Sequence, residues 1–378
     1  MPRDRDVCNV EAKVGAMLPT VIDAAGRVLA GRYQLVEKSG AGGMAIVWRA
    51  VTRGAAGFIR PVAVKRILGG LTHNDEFVQM FVEEARVGAS LDHPNVVQLH
   101  DFGADERGDY YLVMEWVEGV DLGRWSESYK EAGWHAPWHL TAAIGIESLR
   151  GLHAAHGRTD PWGNSVPTYH RDVTPGNVLI GLNGIVKLAD FGLARAMDRA
   201  RITRPEMVKG KTAYVAPELI DDGLEASAQS DIFSLGIVLW EILAGRNLFK
   251  AKTDIQSLRN IVACQVPPLS DIRPDLPPAL IEAIERALQR DPRRRWGSAR
   301  EMVRALARVL RRVAEPTDAE PLGESVRTAR ERLGMPPRDL PPDELVPLKR
   351  QRPPLLTPED PFDRDTMAIP LIPGQRKG

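Results

Sequence analysis

The first hundred or so residues alternate between apolar and polar positions in short runs, and one stretch has helical spacing. Residues 33–50 alternate as a strand does around a glycine cluster, and 61–68 predict a second strand. Apolar residues recur at helical intervals over 76–91, and 98–104 and 109–117 predict a strand pair. This part of the chain is therefore expected to be a small sheet that carries one helix.

Beyond Leu122 the apolar residues recur mainly at helical intervals. Four helices are predicted, at 139–157, 230–245, 278–289 and 298–313. The stretches 124–138 and 157–167 are expected to be surface connections. Strands followed by helices indicate the α+β class, with a small antiparallel sheet and a larger helical part.

Both ends of the chain differ from this pattern. Residues 1–31 have weak periodicity and are interpreted as a leader. Prolines recur throughout 314–378, which is expected to be a mostly disordered tail in which 324–334 could form one short helix. A single globular domain is thus predicted over 32–313.

Composition excludes several classes of protein. Lys+Arg and Asp+Glu are both 50 among 378 residues, so no bulk attraction to nucleic acid or anionic lipid is indicated. No apolar stretch is long enough to span a bilayer, and Cys8 and Cys264 are too few for a disulfide framework or a zinc site. A cytoplasmic protein without membrane or nucleic-acid partners is expected.

The glycine cluster is the first candidate for a ligand-binding site. From Gly40 to Val47 it has the form Gly-x-Gly-x-x-Ala-x-Val, and glycines let a backbone approach phosphates closely. A tight hairpin with no ligand is an equally good interpretation. In a dinucleotide-binding fold the glycines come at the start of a helix, whereas the sequence after Met44 predicts a strand.

Lys65 lies within the apolar run Val-Ala-Val-Lys. A buried lysine needs a carboxylate or phosphate partner, although a strand-end lysine that points to solvent is the alternative. The predicted helix offers Glu83 or Glu84. Glu84 is favoured because it shares a stripe with apolar residues such as Met80 and Phe81.

Two acids and one amide stand on predicted loops between short apolar strands. Asp172 can accept a proton from a hydroxyl, and Asn177 and Asp190 offer oxygen ligands for Mg²⁺. The sequence Asp-Phe-Gly occurs twice, at 190–192 and at 101–103. The second occurrence lies beside a strand with no metal-ligand asparagine before it, so we reject it as a metal site.

The ordered set of motifs resembles the eukaryotic-type (Hanks-type) protein kinases, over about Tyr33 to Val313. The likeness consists of the glycine cluster, VAVK, a helix glutamate, HRDVTPGN at 170–177, DFG at 190–192, and Ala-Pro-Glu at 216–218. The sequence of residues 170–177 is similar to that of bacterial serine/threonine kinases. The resemblance implies a bilobal fold, with an N-lobe of about 32–115 and a C-lobe of about 116–313.

The resemblance also implies a role for each matching residue. Lys65, paired with Glu84, would hold the phosphates of ATP, Asp172 would deprotonate the acceptor hydroxyl, and Mg²⁺ would bind Asn177 and Asp190. The nucleotide would be contacted by Gly40, Ala41, Gly42, Val47, Ala63, Met114, Glu115, Val117 and Leu179. The larger lobe would be braced by an ion pair of Glu218 with Arg295 and by Asp231, which would anchor the catalytic loop.

The implied function is transfer of a phosphoryl group from ATP to a serine or threonine of a protein. The proline at position 175 favours these acceptors over tyrosine. A nucleotide-binding scaffold without turnover, called a pseudokinase, is the alternative, but the set of chemical residues is complete. Phosphorylation of a small molecule is disfavoured by the Ala-Pro-Glu segment, which resembles a platform for peptide substrates.

Two departures from the family pattern lie beside the implied active site. Ala45 replaces the third glycine, and Gly88 stands one turn after Glu84 where the family has a larger residue. The Gly88 exchange is expected to loosen the active position of the helix.

Regulation is expected from hydroxyls outside the catalytic set. Thr203 is predicted to be an autophosphorylation site read by Arg171, with an unmodified loop threonine as the alternative. Thr357 and Thr366, in acidic tail sequence, could bind a phosphothreonine-reading partner, with an inert linker as the alternative. Whether two chains form a transient homodimer is left open.

A third departure generates a test. Thr174 occupies the place where the family has lysine, and Lys211 the place where it has threonine, so we hypothesise that the two have exchanged and that Lys211 steadies the transferring phosphoryl group. Lys211→Ala is then expected to lower kcat at least about tenfold in a phosphate-transfer assay. An unchanged rate would mean that Lys211 only points to solvent.

Overall fold

The alternating residues of the first third of the chain build a six-stranded antiparallel sheet. The computed structural model describes residues 23–41, 45–54, 58–67, 75–160, 162–191, 212–221 and 223–335. The strands are β1 (Val28–Leu29), β2 (Tyr33–Ala41), β3 (Ala45–Arg53), β4 (Ile59–Ile67), β5 (Leu99–Ala104) and β6 (Tyr110–Glu115), in the order β1-β2-β3-β4-β6-β5. Helix α1 (Asp75–Ala89) follows β4 in the chain and packs on β5 and β6.

The register of this sheet places β3, which follows the glycine cluster, beside β4, which carries Lys65. Val47 of β3 pairs with Lys65 of β4, and Ala63 of β4 pairs with Met114 of β6. Alternation places Leu35, Trp48 and Val64 in a buried cluster on the other side of the backbone. Val47, Ala63 and Met114, three of the residues predicted to contact nucleotide, thus share one face with Lys65.

A second, three-stranded sheet lies at the start of the helical lobe. It has the order β7 (Gly119–Asp121), β8 (Val178–Gly181) and β9 (Val186–Leu188). A turn of 3₁₀ helix, Pro175–Asn177, leads directly into β8. Residues 189–191 leave the end of β9, so both candidate metal ligands are placed by the same small sheet.

The helical lobe is built around one almost wholly buried helix. The helices are α2 (Leu122–Glu131), α3 (Trp138–His156), α4 (Ala228–Ala244), α5 (Asp254–Ala263), α6 (Leu269–Ile272), α7 (Pro278–Ala287), α8 (Ala299–Leu310) and α9 (Ala319–Arg332). α4 begins at a capping box formed by Ser227 and Ser230 and ends at Gly245, whose φ is +66°. Every residue from Ser230 to Ala244 in α4 is buried, so this helix is the centre of the lobe.

The expected architecture is confirmed: an antiparallel sheet with one helix precedes a larger helical lobe. The expectation for 124–138 is wrong, because 122–131 form helix α2. Trp125 and Tyr129 recur at helical spacing on this helix, and both are buried.

Both predicted limits of the domain need correction. Leu29, placed in the leader, is 1% exposed, and Asp23 pairs with Arg66 of β4 at 2.8 Å. At the other end, α9 lies in the predicted tail, yet its Leu322 and Val326 are buried against the helical lobe. The described residues that pack with the two lobes therefore begin before position 32 and continue beyond 313. In α9, apolar residues at helical spacing outweigh the surrounding prolines.

Among the residues that the structure describes, no helix has the length and apolar character that crossing a membrane requires.

The packing of α9 gives a test of the fold. Gly184, in the turn between β8 and β9, has φ +74°, and a Cβ there would lie 1.7 Å from the carbonyl oxygen of Ala319. Gly184→Ala is expected to displace α9 and to lower the free energy of unfolding by about 3 kcal/mol. Thermal or denaturant unfolding would measure this.

Gly108→Ala is the matched control, because Gly108 has φ +83° and no atom within 4 Å of the added Cβ. It has the same backbone strain without the clash, so a loss of only about 1 kcal/mol is expected. Equal losses in the two variants would contradict the observed docking of α9.

Candidate active site

A cleft of about 280 Å³ separates the two lobes. Its lining includes most of the residues predicted to contact nucleotide and described by the structure, namely Gly40, Val47, Ala63, Met114, Glu115, Val117 and Leu179. Ala41 ends β2 and is outside this lining, and Gly42 lies outside the described residues. Asn177 and Asp190 line the same cleft, so apolar walls and oxygen ligands share one cavity.

The ammonium group of Lys65 is held between two carboxylates. Its Nζ lies 2.8 Å from Glu84 Oε1 and 2.8 Å from Asp190 Oδ1. Lys65 is only 3% exposed and Glu84 5%. Burial alone would lower the pKa of Lys65, but the carboxylates of Asp190 and Glu84 outweigh it, so the pKa is raised and the lysine stays charged.

This contact joins three elements that are distant in sequence. Lys65 is on β4, Glu84 on α1, and Asp190 follows β9. The apolar stripe that favoured Glu84 over Glu83 is the inward face of α1, because Glu84 is buried and Glu83 is partly exposed. Among the ion pairs of the described residues, Glu83 pairs only with Arg86, at 3.7 Å.

Asp172 and Asn177 are hydrogen-bonded neighbours. Asn177 Nδ2 donates to the backbone oxygen of Asp172 at 2.8 Å and to its carboxylate Oδ2 at 3.0 Å. Both residues are buried to more than nine-tenths. Because the amide nitrogen points to Asp172, the amide oxygen of Asn177 is the atom oriented to act as a metal ligand.

The backbone next to Asp172 is strained, and hydrogen bonds to helix α4 hold it in place. Arg171 has φ +64°, a conformation that costs about 1–2 kcal/mol for a residue with a side chain. Asp231 of α4 accepts hydrogen bonds from the backbone N–H groups of His170 and Arg171, each at 2.8 Å. These bonds to a helix inside the lobe fix the strained loop in place.

Asp231 remains an anion although it is almost completely buried. Burial would raise the pKa of Asp231, but His156, whose Nε2 is 2.8 Å away, and the backbone N–H of Arg171 lower it. The carboxylate is thereby kept as an acceptor for the loop.

His170 connects this loop to the segment of Asp190. Its Nε2 lies 3.0 Å from the backbone oxygen of Ala189, and its ring centroid is 4.4 Å from that of Phe191. Burial lowers the pKa of His170, so the ring is neutral at physiological pH. Asp190 itself has φ +62°, and these contacts hold the residues on both sides of it.

Glu218 and Arg295 form a bidentate ion pair in the interior. Both oxygen–nitrogen distances are 2.7 Å, and the Arg295 side chain is 0% exposed. The remaining guanidinium N–H groups donate to the backbone oxygens of Gln289, Gln229 and Arg290. With all five donors satisfied, the pair can be buried without an unpaired charge.

The segment before Glu218 is also tied to α4. Tyr214 donates a hydrogen bond to Glu241 Oε2 at 2.8 Å, and Ser234 Oγ donates to the backbone oxygen of Tyr214 at 2.7 Å. Burial raises the pKa of both Glu241 and Tyr214. One helix thus positions both the catalytic loop and the segment that follows residues 192–211.

A metal ion bound here would have few protein ligands. The residues described contain no group of three or more His, Cys, Asp or Glu side chains suited to a metal. Asp190 and Asn177 supply one carboxylate and one amide oxygen at the same cleft. Mg²⁺ that accompanies a nucleotide is commonly held by one or two side chains together with phosphate oxygens, so the pair fits that ion.

Some predictions lie outside the described residues. Thr203 and Lys211 both fall in 192–211, so their roles stay predictions. Thr174 is buried and precedes the 3₁₀ turn, and Arg171 lies in the anchored loop.

Beside Gly88 there is a small cavity of about 20 Å³, and a Cβ added to Gly88 would meet Leu99 at 3.4 Å, an ordinary contact.

The second Asp-Phe-Gly sequence lies on β5, outside the lining of the cleft. Asp101 accepts a hydrogen bond from Tyr33 at 2.6 Å. Its role in the described structure is therefore in the sheet.

The cleft residues that sequence reasoning missed include Trp116, Arg124 and Met335. Trp116 could have been found because it lies between two residues implied to contact nucleotide. Arg124 was assigned to a loop, and Met335 to the tail, so neither had a local signal of a site.

The geometry can be compared with known proteins. A family model described as "Protein kinase domain" matches residues 33–306. Tyrosine-protein kinase MasK from Myxococcus xanthus is 38% identical over 293 residues, which are 78% of this chain and 45% of that protein. Serine/threonine-protein kinase PknA from Mycobacterium tuberculosis is 35% identical over 310 residues, 80% of this chain and 68% of that protein.

Solved structures give the same likeness. The kinase domain of PknI from Mycobacterium tuberculosis has a TM-score of 0.56 and 29% identity, over 76% of this chain and 98% of that one. The chain spans less than half the length of MasK and about two thirds of PknA.

Proposed function

We propose that this chain, which belongs to the protein kinase family, transfers the γ-phosphoryl group of ATP to serine and threonine hydroxyls of proteins. The observation that carries the proposal is the contact of Lys65 with Glu84 and Asp190, each at 2.8 Å. Of these three residues, Asp190 lines the cleft between the lobes. Membership in the family implies ATP and a divalent metal ion. Mg²⁺ is proposed because the ligands are oxygens and few.

Each residue has a role that its contacts support. The Lys65 ammonium, held by Glu84, would bind the phosphates of ATP. Asp190 and Asn177 would hold Mg²⁺, which neutralises phosphate charge when bound. Asp172 would orient the acceptor hydroxyl and take its proton while the hydroxyl oxygen bonds to the γ-phosphorus. The bond to the bridging β–γ oxygen then breaks, and ADP leaves.

The remaining contacts support a preorganised site. Asp231 holds the backbone of the Asp172 loop, and His170 links that loop to the segment of Asp190. Catalysis of phosphoryl transfer depends mainly on positioning and electrostatics, so rigid placement of these groups favours turnover over a scaffold that only binds nucleotide.

A polypeptide acceptor is supported by a groove next to the catalytic loop. It has a volume of about 410 Å³ and is lined by Thr174, Pro175 and Gly176 on one side. Its exposed charged residues are three cations, Lys130, Arg246 and Lys250, and one acid, Glu127. An open groove with more cations than acids suits an extended peptide with acidic residues better than an enclosed small molecule.

The two relatives differ in the acceptor that their names give, since MasK is named a tyrosine kinase and PknA a serine/threonine kinase. Pro175 begins the 3₁₀ turn before β8, and the family resemblance associates a proline there with serine/threonine acceptors. We therefore propose serine and threonine, and leave tyrosine as a measurable alternative.

Incorporation of labelled phosphate from Mg-ATP, with the purified full chain and a generic protein substrate, tests the function. The wild-type chain is expected to incorporate label, and Asp172→Asn to reduce the rate by at least about 100-fold because the proton acceptor is lost. Asp101→Asn is the matched control, since it alters the other Asp-Phe-Gly sequence, and it should stay within about twofold.

The labelled residues identify the acceptor in the same experiment. Phosphoserine and phosphothreonine are expected, and mapping shows whether Thr203, Thr357 or Thr366 is among them. Phosphotyrosine alone would overturn the acceptor assignment. Nucleotide binding with no transfer by the wild-type chain would favour the pseudokinase instead.

A further inference from the structure

A residue from beyond the matched kinase region lines the nucleotide cleft. The family match ends at 306, yet Met335 is part of the wall of the cavity that contains Ala63, Leu179 and Asp190. Met335 is half-buried and packs against the core of the helical lobe. The position of one side chain therefore depends on how helix α9 ends.

The end of α9 is a Schellman motif that directs Met335. The backbone N–H of Met335 donates to the carbonyl oxygen of Arg330 at 2.9 Å, and that of Gly334 donates to Glu331 at 3.0 Å. Gly334 has φ +59°, the left-handed conformation that this motif requires and that glycine adopts without strain. The chain reverses there, and Met335 turns toward the cleft.

The residue whose carbonyl closes this cap also binds the connection between the lobes. Arg330 Nη1 donates to Glu118 Oε1 at 2.6 Å, and the Arg330 side chain is only 7% exposed. Glu118 stands between β6 and β7. Its other oxygen accepts a hydrogen bond from the Trp116 indole at 2.7 Å and lies 3.9 Å from Arg49 of β3.

Helix α9 is docked along its length, so the cap has a fixed base. Trp125 of α2 donates its indole N–H to Ser325 at 3.0 Å. The Arg332 guanidinium lies 4.7 Å from the Trp134 ring centroid and 5.3 Å from that of Tyr129. Gly323 approaches β8 so closely that an added Cβ would be 2.5 Å from the oxygen of Leu182.

We propose that Met335 is a further nucleotide-binding residue, held at the Glu118 end of the cleft by the α9 cap and the Arg330–Glu118 ion pair. Its thioether side chain supplies an apolar surface for the base of a purine nucleotide. Arg330 is a positioning residue that acts through Met335 and Glu118. The inference rests on the proposed function, because it requires that the cleft binds ATP and ADP.

The test is the dissociation constant of ADP with Mg²⁺, measured by titration calorimetry on the full chain. Met335→Ala is expected to raise this constant about fivefold, because apolar contact with the base is lost. Met335→Leu restores an apolar side chain of similar size and should stay within about twofold of the wild type. Met335→Leu should also retain the thermal midpoint of the wild type.

Arg330→Met tests the positioning role, with Arg327→Met as its matched control. Arg327 is on the same helix but donates only to the backbone oxygen of Leu182 among the hydrogen bonds of the described residues. Arg330→Met is expected to weaken ADP binding about threefold or more, and Arg327→Met to leave it unchanged.

The outcomes separate two failures. ADP binding that is the same for the wild type and Met335→Ala would overturn this inference and leave the proposed function intact. A wild-type chain that binds no ADP would overturn the proposed function, and the inference with it.

Discussion

The ammonium group of Lys65 is the point on which the arrangement of the two lobes depends. A charge this deeply buried is tolerated only when carboxylates surround it, and here they come from α1 and from the segment after β9. The six-stranded sheet, helix α1 and the three-stranded sheet of the helical lobe thereby meet at one place. If the three groups were apart, the residues proposed to bind phosphate and metal would face no common ligand.

The helical lobe supplies rigidity to this contact from the other side. Helix α4 holds the strained Arg171 through Asp231, and it holds the segment around Tyr214 through Ser234 and Glu241. Glu218 and Arg295 close the same region with a fully satisfied ion pair. Each of these buried polar groups has its partners, so the polar framework positions the site without unpaired charges.

Helix α9 extends the framework beyond the region shared with the family. Its Arg330 binds the connection between the lobes, and its cap turns Met335 into the cleft. The proposed nucleotide site is therefore assembled from the sheet, the helical lobe and the turn that ends α9.

Local pattern and motif order were enough for the architecture and for most of the cleft. The inward stripe on α1 distinguished Glu84 from Glu83, because a helix has a fixed period that can be counted in the sequence. The Asp-Phe-Gly sequence at 101–103 could be set aside because it lies beside a predicted strand and has no metal-ligand asparagine before it.

What the sequence did not reveal depends on contacts between distant segments. Helix α2 was taken for a connection, because turn-forming and charged residues obscure short apolar stripes such as Trp125 with Tyr129. A short helix was allowed at 324–334, within α9, but it was placed in a mostly disordered tail and its packing against the helical lobe was not foreseen. Met335 has no local signal at all, since its place follows from the docking of α9 and the turn at Gly334. Such placements are set by packing, which no window along the sequence contains.

The most direct measurement of the central claim compares Glu84→Gln with Glu83→Gln in single-turnover phosphate transfer. Both remove one carboxylate from adjacent positions of α1, but only Glu84 contacts the buried ammonium. We expect Glu84→Gln to slow transfer about 100-fold or more, since it breaks a buried ion pair, and Glu83→Gln to stay within about twofold. Transfer at the wild-type rate by Glu84→Gln, or equal losses in the two variants, would show that the site does not depend on the contact with Lys65.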